Sequence, residues 1–298
     1  METRNDPGYF TAAKNVVMLA ALDEILIEAR KKGVEIMLLK GAALIARGVF
    51  KPGERDFCDL DLLVREPDYD RCEEMLSSLG YQRTLGAQDE FARGPSGPAG
   101  LASAVDLHHQ VFQFVPALAE DPGLIWESSA SLSFGSEKVR VPSPEWLVLT
   151  AIANSMLHDG CLSSRAIHDV SKIAAVLPLD WGRVLDLSAR LRLNVLLQAA
   201  LANLPLSGLP EIKLSARESI VEGLFLAAAA QRAPNKRLQF LLPPALDLSN
   251  LKGRIFPDQD FFKARGLKGT WAERIRRPLH LAQSFLNSYT LNRGKRHG

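Results

Sequence analysis

Two aspartates separated by one leucine, at the head of an apolar run, constrain this chain more than any other feature: Asp59-Leu60-Asp61-Leu62-Leu63-Val64. In a strand, side chains i and i+2 point to the same face, so Asp59 and Asp61 converge while Leu60 turns into the core. Converging carboxylates repel unless a cation lies between them. Hard divalent ions such as Mg²⁺ take oxygen ligands and leave room for substrate phosphates, so the pair points to a metal-phosphate site. The bland alternative is a strand whose first residues reach solvent. Upstream, Ile36-Met37-Leu38-Leu39 is a continuous apolar run that breaks at Lys40-Gly41, as a buried strand ending in a tight turn does. The small-residue segment Ala42 to Phe50 then has helical character.

The surrounding pattern alternates strands and helices. Residues 12–32 have helical spacing, with Val16, Leu19, Leu22, Leu26 and Ala29 on one side and Gly33 as the stop. After the Asp-x-Asp strand, Pro67, Asp68 and Asp70 open a second helix that buries Tyr69, Cys72, Leu76 and Leu79 and ends at Gly80. Residues 86–100 finish in Gly-Pro-Ser-Gly-Pro-Ala-Gly and are expected to form a loop, either a lid beside a site or a plain connection. Residues 104–115 read as a strand with Asp106 and His108 on one face and Leu107, His109 and Val111 on the other, which brings a third carboxylate. Residues 131–141 read as one or two short strands.

At Ser143-Pro144-Glu145-Trp146 the pattern changes: Ser as N-cap and Pro at the first helical position open a helix to about His158. Helical spacing continues over 165–176, 180–191 and 195–204, and to about Arg232. Pro243-Pro244, Gly253 and Pro257 interrupt it before a last helical segment, 271–291. The expected division is 1–142, an α/β domain with a mixed sheet, 143–242, an all-helical domain, and 243–298, a basic, partly helical segment.

Each candidate residue carries a functional and a structural reading. Gly41 lets the backbone N–H groups of Gly41 and Ala42 approach a phosphate at a helix start, or it simply permits a tight turn. Lys40 suits a phosphate, solvent or a nearby carboxylate. Arg55, four residues before Asp59, suits a substrate phosphate or an anchor for the Asp loop. His108 shares a face with Asp106 and stands behind the metal ligands, acts as an acceptor-site base, or is a hydrogen-bonded structural histidine.

Leu39-Lys40-Gly41-Ala42-Ala43, Arg55, Asp59-Leu60-Asp61-Leu62-Leu63-Val64 and Asp106-Leu107-His108 together resemble an uncharacterised bacterial nucleotidyltransferase family of the DNA polymerase beta superfamily. The resemblance implies that Asp59, Asp61 and Asp106 hold two Mg²⁺ ions, with Lys40, Gly41, Ala42 and Arg55 around the nucleotide phosphates. It also implies transfer of an NMP group from an NTP to an acceptor hydroxyl with release of pyrophosphate. His158, Arg165 and Asp169 match further positions of that family, where they resemble part of an inter-domain polar network. Ala42 departs from the serine that many superfamily members carry, which removes one phosphate hydrogen bond, and Cys58 stands where a small polar residue is common. The acceptor stays open between a small molecule, a protein side chain and an RNA. The alternatives are a toxin-like enzyme acting on tRNA or protein and a catalytically silent nucleotide-binding module.

Charge and cysteine usage narrow the setting. Net charge is +2, but from Leu251 onward eleven Lys or Arg face three Asp or Glu, a local +8 against about −6 for the rest. Nucleic acid is therefore a candidate partner of the C-terminal segment. Cys58, Cys72 and Cys161 are too few and too scattered for a disulfide framework. With no apolar run of membrane-spanning length and no basic-then-apolar leader at the N-terminus, a cytoplasmic protein without membrane partner is the expectation.

Overall fold

The computed structural model describes residues 7–84, 89–96, 101–112, 122–159, 161–216, 218, 219 and 270. Among these the chain divides into two compact units, one of Met1–Phe114, Glu120–Ala151 and Arg165–Leu187, the other of Val115–Ala119, Ile152–Ser164 and Ser188–Gly298. The expected basic segment 243–298, its helix over 271–291 and the irregular stretch around Pro243-Pro244 lie outside the described residues.

The first unit is built on one mixed sheet of seven strands: β1 (Met37–Leu38), β2 (Leu60–Leu63), β3 (Gln82–Arg83), β4 (Glu90–Ser96), β5 (Leu101–His108), β6 (Ala130–Phe134) and β7 (Glu137–Val141), in the order β3-β4-β5-β2-β1-β7-β6. β1 is antiparallel to β2 and parallel to β7, β2 is parallel to β5, and β5 is antiparallel to β4. β2 sits in the middle, and Leu60, Leu62, Leu63 and Val64 are all buried there, as expected for a strand covered on both faces. Asp61 is the polar exception.

Helix α1 (Pro7–Lys32) packs on β5 and β7, and α3 (Tyr69–Ser78) packs on α1. α1 buries Met18, Leu22, Ile25, Leu26 and Ala29, but Val16 is 60% exposed, so the apolar stripe is displaced from the one the sequence suggests. Asn15 is fully buried instead, because its side-chain amide donates to the Arg55 carbonyl. Gly33, at φ +66, stops α1: its N–H reaches Arg30 O and that of Val34 reaches Ala29 O. The short helix α2 (Lys40–Ala46) follows β1 and packs on β2.

The segment expected to be a loop is in part a strand. β4 runs through Gly94-Pro95 to Ser96, and its pairing with β5 shifts register between Arg93 and Ser96. β3 pairs with β4 at Ala92 and Phe91, and the Thr84 N–H continues to the Glu90 carbonyl, away from Pro95, which falls at a bulge beyond β3, where a missing N–H costs little. Residues 97–100 lie outside the described residues. β5 ends at His108, earlier than the 104–115 reading, and residues 113–115 are likewise outside.

α5 (Pro144–Asp159) starts at the expected Ser-Pro. The Ser143 hydroxyl makes no cap bond, however; the Ser143 carbonyl accepts the Leu147 N–H instead. α6 (Ser164–Val176) and most of α7 (Trp181–Arg190) belong to the sheet unit. α8 (Asn194–Leu201) belongs to the other unit and buries Val195, Leu196, Leu197 and Ala200. No described helix is long and apolar enough to cross a membrane.

Candidate active site

The parallel β2–β5 ladder sets Asp61 opposite Asp106 and Leu63 opposite His108. Side-chain period two then places Asp61, Asp106 and His108 on one face of two neighbouring strands. His108 Nε2 lies 3.0 Å from Asp61 Oδ1 and 3.2 Å from Asp106 Oδ2. Both neighbours accept only, so Nε2 carries the proton and bridges the two carboxylates. Lys40 Nζ donates to the same Asp61 Oδ1 at 2.5 Å.

The electrostatics follow from these contacts. Burial works against the charge of Asp61, but hydrogen bonds from His108 and Lys40 outweigh it and hold its carboxyl below the usual range. Burial also opposes the His108 cation, yet the Asp106 and Asp61 carboxylates raise its pKa to about 9. Lys40 behaves alike: burial lowers, Asp61 raises, and the net shift is upward. Asp59, half-buried one residue ahead of β2, is pushed up by burial and by the charge of Asp61, with Lys40 opposing.

Among the described residues, Asp61, Asp106 and His108 have ligand atoms within 4.8 Å of one another. The two carboxylates suit a divalent ion, with His108, which donates its Nε2 proton to them, orienting them. The two cationic groups already on Asp61 mark where positive charge is favoured. Of the expected triad Asp59, Asp61 and Asp106, the structure brings Asp61 and Asp106 together in register with His108; Asp59 is outside that cluster and is felt there through its charge.

The turn before α2 holds the other candidates. Lys40 has φ +43, a left-handed backbone that a residue with a Cβ seldom adopts. Ala43 N–H makes the first helical bond, to Leu39 O at 3.3 Å, so the N–H groups of Gly41 and Ala42 precede the helical ladder. Lys40 itself rests on a carboxylate, one of its three expected partners. At Gly41 a Cβ would come within 2.5 Å of Arg55 Nη1 and 2.8 Å of Phe57 Cβ. Glycine is required there by packing from below, whatever approaches from above. Arg55 anchors: Nε and Nη2 donate to Asp169 Oδ1 and Oδ2, each at 2.8 Å.

Asp169 is the residue that sequence reasoning underused. It occupies the apolar stripe of α6 with Ala166, Val170 and Ile173, all buried. An acid inside a buried stripe needs a cation, and that was the available signal. Arg165 is exposed, and the His158 side chain lies outside the described residues.

A central mixed sheet thus carries two aspartates in register beside a Lys-Gly turn. A family model described as an uncharacterised nucleotidyltransferase matches residues 9–206, well over half of the chain, and the chain belongs to that family. No curated protein matches it. Among solved structures, two of the antibiotic-resistance factor ANT(2'')-Ia are similar. One is a solution structure, at 16% identity and TM-score 0.44 over 60% of this chain and 92% of that one; the other holds adenylyl-2''-tobramycin, at 15% and 0.42 over 59% and 97%. An antigenic nucleotidyltransferase-like protein from Paracoccidioides brasiliensis matches at 15% and 0.40 over 76% and 92%. Likenesses of this size add no weight to the family match.

Proposed function

We propose that the chain catalyses Mg²⁺-dependent transfer of a nucleotidyl group from an NTP to an acceptor hydroxyl, releasing pyrophosphate. The supporting observation is the in-register Asp61–Asp106 pair, with two cationic side chains drawn onto it, beside the Lys40-Gly41 turn. Asp59, Asp61 and Asp106 would hold one or two Mg²⁺, which when bound supply charge for the triphosphate and its leaving group. The Gly41 and Ala42 N–H groups and the Lys40 ammonium bind the outer phosphates once Lys40 leaves Asp61. His108, buried behind the carboxylates, fixes their orientation through Nε2. The acceptor oxygen attacks the α-phosphorus, the bond to the β-bridging oxygen breaks, and pyrophosphate departs with the electron pair. Asp106, the more exposed of the two, takes the acceptor's proton. The acceptor class remains a small molecule, a protein or an RNA, and three free cysteines suit a cytoplasmic setting.

The test uses labelled NTP with a panel of acceptors. Label from the α position should reach the acceptor, and label from the γ position should appear only in pyrophosphate. Asp106→Asn should abolish transfer while keeping much of the nucleotide affinity. Label reaching the acceptor from the γ position would make this a kinase-like enzyme. One observation favours a second reading, a catalytically silent nucleotide-binding module: Asp61 is already neutralised by Lys40 and His108. Nucleotide that binds but is transferred to no acceptor would support it.

A further inference from the structure

Arg55 sits at a junction of three elements. Its fork is spent on both oxygens of Asp169 at 2.8 Å, and the two side chains are 11% and 6% exposed. Its carbonyl accepts the amide of the fully buried Asn15 at 2.9 Å, which ties the loop backbone to α1. Its remaining terminal nitrogen lies under Gly41, close enough that a single added methyl would meet it at 2.5 Å. Immediately above, Lys40 is held at φ +43. A lysine seldom rests in that conformation, and the glycine that follows it packs against Arg55 and Phe57.

We infer that the Arg55–Asp169 pair is a positioning strut: it fixes the Lys40-Gly41 turn, and with it the phosphate-facing N–H groups and the Lys40 ammonium, without touching phosphate itself. The inference rests on the nucleotidyl-transfer reading above. Charge supports it as well as geometry. A bidentate carboxylate already neutralises the guanidinium, so a triphosphate would have to compete with a buried, well-aligned partner. The strut lies wholly inside the sheet unit, joining α6 to the turn at the head of α2.

Two variants of the full chain separate this from a phosphate-binding arginine. Asp169→Asn weakens the grip on the fork and frees the guanidinium; Arg55→Lys keeps the charge and the pairing but removes the fork and the floor beneath Gly41. The probes are ATP with Mg²⁺, followed by calorimetry, and Mn²⁺ alone, followed by its paramagnetic resonance signal, at a temperature where near-ultraviolet dichroism shows every variant folded. A strut predicts that both variants lose about ten- to hundredfold in ATP affinity while Mn²⁺ affinity at the carboxylates stays within about twofold. General loosening of the fold would lower both together and would contradict the inference. So would ATP binding that tightens in Asp169→Asn, because a freed Arg55 would then be contacting phosphate. If Asp169→Asn does not fold, an unchanged ATP affinity in Arg55→Lys still overturns the strut. Wild-type protein that binds no ATP removes the nucleotidyl-transfer reading and the strut with it; wild-type binding beside unaltered variants removes the strut only.

Discussion

The carboxylate row on β2 and β5 and the turn at the head of α2 face the same chemistry but are held in different ways. The row is made by backbone pairing: once Asp61 lies opposite Asp106, every second residue falls on the same face, and Leu63 opposite His108 completes the set. The turn is backed by side chains: Asn15 from α1 and Asp169 from α6 meet at Arg55, and Arg55 and Phe57 lie against Gly41. The register of the row should therefore survive a change in its charges even where stability falls. The turn should fail when any one strut is removed.

The largest effect is expected at the point where the two regions touch, Asp61. Sequence reasoning alone says that Asp61→Asn relieves carboxylate repulsion and leaves the metal-free protein level or more stable. The structure reverses that expectation, because Asp61 is the shared partner of Lys40 and His108. Stability in EDTA should fall by roughly 3 kcal/mol, the low end for a broken buried pair since Lys40 keeps a third of its side chain in solvent, as read from urea denaturation. Gly41→Ala comes next, at about 1–3 kcal/mol in the same assay. The Arg55 tip can swing away from the new methyl, but the Phe57 Cβ is fixed to the backbone. Asp59→Asn should leave stability in EDTA level or raise it by up to about 0.5 kcal/mol, since burial and Asp61 already disfavour its charge. A large loss there would mean that Asp59 is part of the row's scaffold.

The smallest effect is kinetic. Cys58, exposed one residue before Asp59, should react with a thiol reagent and be slowed by bound ATP and Mg²⁺. Cys72, on the buried face of α3 with its thiol pushed up to about 12, should react only on unfolding. Labelling of Cys58 that ignores nucleotide would place the nucleotide away from the row.

These differences track what the sequence makes legible. The spacing of Asp59 and Asp61, the apolar run behind them and the Asp106-x-His108 alternation are local, so period-two reasoning reaches the row, its mixed sheet and the helices around it. The Arg55–Asp169 bond spans 114 positions, and no local pattern pairs those two residues. An acid on the buried stripe of α6 announces that a cation is needed, without saying which. β4 was hidden for a different reason. Gly94-Pro95 reads as a breaker, and only the sheet order shows that it falls at a bulge beyond the reach of β3. Val16 likewise belongs to the stripe that spacing favours, but the buried face of α1 is set by what packs on it.

The most direct test of a metal-phosphate site on the row is ATP binding at equilibrium, measured with Mg²⁺ and again in EDTA, for wild type and Asp61→Asn. The account predicts that Mg²⁺ tightens wild-type binding by at least about tenfold and has no effect on the variant. Equal binding with and without Mg²⁺ in wild type, or the same Mg²⁺ dependence in both proteins, would contradict it.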